Sequence, residues 1–337
     1  GLIMNTMEQG PLLEQTRVSA GLDYYKPTMG QVQFDQFPDA QVTFRLKNRG
    51  STLLTEFVEP EELQARLDRF QAGWNTEETA FLATQERRDS NPLFSDEYLR
   101  YLEESNLPPV TARTDPATGD LMAETTGDWP LVTNWETVVM SELNELYFEN
   151  MIAAQGLDIE EIYDEGDRRL SEKIAILQQR PDIKFAEFGT RRRFSLRWQD
   201  YVVGRLAAEC PDNLIGTSNV ALANKYNLMP IGTFAHEMPM VYGALAEADD
   251  YSPLVGHNQM LRDWSDTYDD NLSTALTDTF GSDFFFADFT PEQAREWQAL
   301  RHDSGNPFTF GEQVLDFYFK HGIDATEKTI VFSDGLD

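Results

Sequence analysis

Six short apolar runs in the second half of the chain, each ending in small or chemically functional residues, limit the folds open to it. They are "IKFAEFGTRRR", "NLIGTSN", "MPIGTFAHE", "LSTALTDTFG", "WQALRHDSGN" and "KTIVFSDGLD", with helical stretches between them. Strand–helix alternation predicts a parallel sheet, because a parallel neighbour is reached only by crossing back over the sheet face. The expected form is an α/β fold with the sheet rolled into a TIM-like barrel. In such barrels the chemistry collects at the carboxyl ends of the strands, and that is where the polar residues of all six runs fall. The earlier chain reads differently. "AQVTFRLKNRG" alternates through Val42, Phe44 and Leu46 as a half-buried strand. "PEELQARLDRFQAG" sets Leu63, Leu67 and Phe70 at helical spacing between Pro60 and Gly73. "TARTDPATGDLMA" predicts a hairpin, and "WETVVMSELNELYFENMIAAQG" a long helix closed by Gly156. The change of architecture is placed near residue 134, giving an N-terminal α+β domain over 1–133 and the barrel over 134–337.

Charge narrows the partners. Asp and Glu number 58 against 27 Lys and Arg, for a formal charge of -31, which disfavours nucleic acid and anionic membrane. No apolar run approaches 18 residues and no secretory segment is evident, so a cytoplasmic protein is expected. Cys210 is the single cysteine, so no intrachain disulfide can form. Zinc and P-loop patterns such as HExxH or a Walker A loop are absent, and no resident protein-bound metal is expected.

Against this acidic background Arg191, Arg192 and Arg193 stand together after Gly189 and Thr190. Adjacent guanidiniums either pair with surface acids or sit under an anion, and arginine matches phosphate bidentately. "GTFAHE" puts His236 at an expected strand end beside Glu237, with Asp278 of "LTDTF" as a further acid. Such a histidine can serve as general base, metal ligand or nucleophile, or be structural. In "LRHDSGNP", Arg301 is a second anion contact, and Asp303 either holds ribose hydroxyls or magnesium through water, or caps a turn. "FSDGLD" offers Asp334 and Gly335 at a turn. Together these residues point to a substrate carrying phosphates and a sugar, without specifying a reaction.

These stretches, with "LDYYKPTMGQ" near the start and "GTSNVALANKYNLMPIGTFAHE" in the middle, resemble the nicotinate phosphoribosyltransferases. The resemblance implies an irregular TIM-like barrel of the type II phosphoribosyltransferases. It also implies an enzyme of NAD biosynthesis that joins nicotinate to phosphoribosyl pyrophosphate, with Mg2+ and with ATP as co-substrate. His236 would become a phosphohistidine, oriented by Asp278 and Glu237. Tyr25, from a partner subunit of a homodimer, and Phe188 would sandwich the pyridine ring. Arg191 and Arg301 would face the nicotinate carboxylate and the phosphates, and Asp303 would hold the ribose. Arg49, Thr190, Arg192, Asp334 and Gly335 would contact phosphates. The related nicotinamide-using enzymes carry Asp where this chain has Ser218, which implies a preference for the carboxylate substrate. A nicotinamide-using enzyme and a binding-only homologue are the alternatives. The family's chain continues past the segment matching "VFSDGLD", with further strands and a glycine-rich phosphate loop, so part of the barrel is expected to lie outside this sequence.

Overall fold

Strand β1 (Gln41–Lys47) alternates half-buried and exposed residues along its length, as the Val42, Phe44, Leu46 spacing predicts. It belongs to an antiparallel sheet of order β1–β3–β2, completed by β2 (Thr111–Thr114) and β3 (Leu121–Asp128). The expected hairpin is the β2–β3 pair, with Thr114 opposite Leu121. The computed structural model describes residues 17–48, 50 and 52–333. Arg49, Asp334 and Gly335 lie outside the described residues. The chain divides into two compact units. The first combines the chain up to Gln85 with Phe94–Ile231, and the second combines Glu86–Leu93 with the chain from Gly232 onward.

In the first unit, α1 (Tyr25–Gln36) buries its first nine residues, Tyr25 to Gln33. Helix α2 (Pro60–Asp68) starts where Pro60 follows Glu59, whose side chain forms a capping box with Glu62. It buries Leu63 and Leu67. Helix α3 (Trp135–Ala154) buries Trp135, Val138, Val139, Leu143 and Leu146, the apolar side of the long predicted helix. Arg66 of α2 reaches Glu142, Glu145 and Glu149 of α3 at 3.3, 3.3 and 2.6 Å. Two of these acids are nearly inaccessible, so they require this cation. Farther on, α4 (Ile159–Gln178) and α5 (Leu196–Glu209) close over a cluster of Leu170, Ile174, Tyr201, Leu206, Cys210 and Leu214. Beneath them β4 (Phe185–Glu187) and β5 (Leu214–Thr217) run parallel, and α6 (Val220–Lys225) follows β5.

The run "MPIGTFAHE" departs from expectation. It makes one parallel rung, with the Thr217 amide donating to the Met229 carbonyl and the Ile231 amide to the Thr217 carbonyl, and forms no strand. Thr217 is the last residue of β5, so Gly232–Phe234 find no further β5 backbone to pair with.

The second unit holds the parallel strands β6 (Thr274–Leu276), β7 (Ala299–His302) and β8 (Thr329–Phe332), in that spatial order. Its helices include α7 (Glu237–Ala248), α8 (Pro253–Tyr268) and α9 (Pro307–Lys320). Helices α7 and α8 cross closely because residue 256 is glycine: a Cβ there would lie 2.3 Å from the Tyr242 carbonyl oxygen. Phe234 packs on Trp264 and Trp297, with ring centroids 5.2 and 6.1 Å apart. The architecture is α/β, and each of the five parallel strands runs at its carboxyl end into residues singled out above or adjoining them.

His257 of α8 is buried among Phe280, Phe284 and Phe285, with Asp288 Oδ2 3.6 Å from its Nδ1. Burial lowers its pKa from the ordinary 6.5 despite Asp288. The unfolded chain therefore takes up a proton that the folded chain resists, so this contribution is complete above about pH 6.5 and is lost as pH falls. His257→Asn should flatten the decline in stability between about pH 6.5 and 5, as read by urea unfolding at a series of pH values.

Candidate active site

The functional residues form two clusters, one in each unit. The first is built on the ends of β4 and β5. Glu187 closes β4, and its carboxylate folds back onto the loop that follows. It accepts bonds from the Gly189 amide at 2.6 Å, Thr217 Oγ1 at 2.7 Å, and Gln199 Nε2 at 3.1 Å (Oε1) and 3.3 Å (Oε2). A Cβ on Gly189 would lie 2.7 Å from Glu187 Oε1, so a larger residue there would push the folded-back carboxylate aside. Phe188 is 46% exposed. Thr190 is fully buried, and its Oγ1 accepts from Gln199 and Asn219 at 3.1 Å each.

The three arginines have three different environments. Arg191 is exposed, with Nη1 4.0 Å from Glu136 Oε1, and the same oxygen lies 3.7 Å from Nζ of the buried Lys26. Arg192 is exposed at the end of a short 3₁₀ turn, Thr190–Arg192. Arg193 is buried, donating to the Ala20 carbonyl at 2.5 Å and to Gln199 Oε1 at 3.2 Å. Burial pulls its pKa down while Glu142 and Glu145 oppose the shift. It is a structural cation, whereas Arg191 and Arg192 are exposed.

Ser218, just past β5, is inaccessible and donates Oγ–H to Asp23 Oδ1 at 2.6 Å. Its amide bonds the Glu187 carbonyl at 2.8 Å and its carbonyl accepts from the Tyr24 amide at 2.6 Å. Asn219 then caps α6 by accepting from the Leu222 amide. Tyr25, the first residue of α1, is 5% exposed in its own chain. Burial and then Asp23 push its phenol well above 10, with Arg191 opposing, so the hydroxyl is a neutral donor. The cluster thus unites Tyr25, Arg191, Ser218 and Asp23. Asp23 and Glu187 were not singled out in the sequence, although each stands inside a quoted motif.

The second cluster surrounds His236, the residue before α7. Its Nε2 lies 3.0 Å from Asp303 Oδ2 and 3.7 Å from Asp278 Oδ1, and its Nδ1 lies 3.0 Å from Thr279 Oγ1. A carboxylate only accepts, so Nε2 carries a proton, and in the neutral ring Nδ1 holds the lone pair. Asp303 also accepts from Ser333 Oγ at 2.8 Å. The bond from His236, aided by Ser333 and Arg301, holds its carboxyl below the usual range against the cost of burial. Asp278 accepts from Ser304 Oγ through Oδ2, while its Oδ1 is buried without a hydrogen bond. Glu237 opens α7, and Arg301 donates to the Phe234 carbonyl at 3.2 Å. The direct partners of the ring are thus Asp303 and Thr279, with Asp278 one step farther away.

Ligand atoms of His236, Asp278 and Asp303 lie within 4.8 Å of one another. The two carboxylates suit a hard cation such as Mg2+, since Asp278 Oδ1 is a buried oxygen with no donor of its own. The imidazole suits it poorly.

Residues 22–144 match the nicotinate phosphoribosyltransferase N-terminal domain and residues 183–337 match the nicotinate phosphoribosyltransferase family. The solved nicotinate phosphoribosyltransferase of Porphyromonas gingivalis is 32% identical with a TM-score of 0.80, the match covering 95% of this chain and 78% of that one. This chain belongs to the nicotinate phosphoribosyltransferase family. The enzyme of the same name from Vibrio cholerae is 28% identical with a TM-score of 0.74, covering 97% of this chain and 75% of that one. Within the family motif "EFGTRRRFS" the geometry separates exposed arginines from a structural one, which gives a direct test. Arg193→Ala should cost about 1–3 kcal/mol by leaving the Ala20 carbonyl and Gln199 Oε1 without this buried donor. Arg192→Ala should stay within about 0.5 kcal/mol of the parent, both by chemical denaturation.

Proposed function

We propose that the chain transfers the phosphoribosyl group of phosphoribosyl pyrophosphate to nicotinate, releasing pyrophosphate, with ATP hydrolysis coupled through His236. The observation that carries this reading is similarity to the P. gingivalis enzyme along nearly the whole chain, at 32% identity. In the reaction the pyridine nitrogen attacks the anomeric carbon and the bond to pyrophosphate breaks. Negative charge on the departing group is the charge to be stabilised, a task for Arg192 and Arg301. Mg2+, held by Asp278 and Asp303 when bound, supplies further charge neutralisation.

Phe188 and the partner subunit's Tyr25 provide the aromatic faces for the pyridine, and Arg191 compensates the nicotinate carboxylate. The Ser218 hydroxyl is inaccessible and gives its proton to Asp23, so recognition of the carboxylate falls to Arg191. Asp303 also anchors the ribose hydroxyls. For the coupling step, the unprotonated ring nitrogen of His236 takes the γ-phosphoryl group of ATP and ADP leaves, while Asp303 holds the proton on the other nitrogen and makes the ring more nucleophilic. Homodimerisation and a cytoplasmic setting belong to the same reading. No helix among the described residues is long and apolar enough to cross a membrane.

Incubation with nicotinate, phosphoribosyl pyrophosphate and Mg2+ should yield nicotinate mononucleotide and pyrophosphate, more of each with ATP, and little nucleotide when nicotinamide replaces nicotinate. His236→Ala should remove the ATP-dependent increment and the acid-labile phosphate on the protein. An ATP-stimulated rate equal to the parent's would refute the coupling role.

A further inference from the structure

We propose that Glu187 is a positioning residue that sets the loop carrying Phe188 and Arg191 for the pyridine substrate, an inference that rests on the nicotinate reading above. Strand β4 is only three residues long, and its pairing with β5 shifts register between Phe185 and Ala186. Its last backbone tie is the Ser218 amide on the Glu187 carbonyl. Beyond that point the loop is fastened by the Glu187 carboxylate. This group joins three elements: Thr217 at the end of β5, Gly189 in the loop and Gln199 on α5. Gln199 passes the constraint on, donating to Thr190 Oγ1 and accepting from Arg193.

Every hydrogen bond this carboxylate accepts among the described residues comes from a neutral donor. The carboxylate is half-buried, and the Arg193 guanidinium acts on it electrostatically without being one of its hydrogen-bond donors. The carboxylate's acceptor-only character is what the place requires, since amide and hydroxyl donors converge on both oxygens. A glutamine of the same shape must turn an N–H toward Gly189, Thr217 or Gln199, setting donor against donor on at least one side. Phe188 and Arg191 stand one and four residues from this anchor, so a loosened anchor moves the aromatic face and the guanidinium together.

The test is Glu187→Gln, with Thr217→Val and Thr217→Ser as companions. Glu187→Gln should raise KM for nicotinate at least tenfold, change kcat less than threefold and leave KM for ATP unchanged. Hydrogen exchange of the 188–193 segment should quicken. Thr217→Val removes one tie from the other side and should raise KM for nicotinate in the same direction, and Thr217→Ser, which keeps the hydroxyl, should restore it. If Glu187→Gln fails to fold, the Thr217 pair decides alone. A nicotinate KM within twofold of the parent's in the folded Glu187→Gln protein overturns the inference and leaves the nicotinate reading intact, and so does an unchanged KM in Thr217→Val. A parent chain that makes no nicotinate mononucleotide overturns both.

Discussion

Parallel strands of three or four residues cannot hold their own carboxyl ends by backbone pairing, and the structure repeatedly makes up the difference with side chains. Glu187 at the end of β4 is tied to Thr217 at the end of β5. Ser218, one residue beyond, is tied to Asp23. Thr277 after β6 donates to the Arg301 carbonyl on β7 at 3.1 Å, and Ser333 after β8 donates to the His302 carbonyl and to Asp303. The polar residues that end these apolar runs therefore have a structural duty. They close the sheet ends where the ladder stops, and they stand beside the residues assigned to the proposed chemistry.

The same economy governs charge. In a chain with 58 acids and 27 Lys and Arg, inaccessible carboxylates are tolerated where a cation or several donors meet them. Arg66 answers Glu142, Glu145 and Glu149, and Lys225 pairs at 2.8 Å with Asp200, whose side chain is 1% exposed. Arg193 is drawn into the first unit by the same acids that Arg66 serves. Arg191, by contrast, is exposed, with Glu136 4.0 Å away. That difference separates one buried, structural cation from two exposed ones within a run of identical residues. On the second unit, Asp303 is held ionised by His236 and Ser333, so the imidazole is oriented before any substrate arrives.

Much of this was legible in the sequence. The period-two run of Val42, Phe44 and Leu46, the capped helix at Pro60, the hairpin before residue 128 and five of six strand-like runs form the elements their patterns predict, because those patterns report local burial. The sixth run has the same apolar look and forms no strand, because whether it pairs depends on how far β5 extends, which its own residues do not encode. His236, Asp278 and Asp303 stand out by residue type, and the structure brings the three together although the run before His236 forms no strand. Asp23 and Glu187 do not stand out, since an acid in an acid-rich chain carries no local mark that it is enclosed.

Sequence alone determined the α/β class, the order of the elements and the chemical types available at each strand end, because periodicity and side-chain chemistry are local properties. Only the tertiary structure decided which acid touches which donor. It placed Asp303 rather than Asp278 at hydrogen-bond distance from His236, gave the Ser218 proton to Asp23 and buried the third of three adjacent arginines. These choices depend on contacts between residues 67 to 195 apart in the chain, set by packing and by the need to satisfy buried polar atoms.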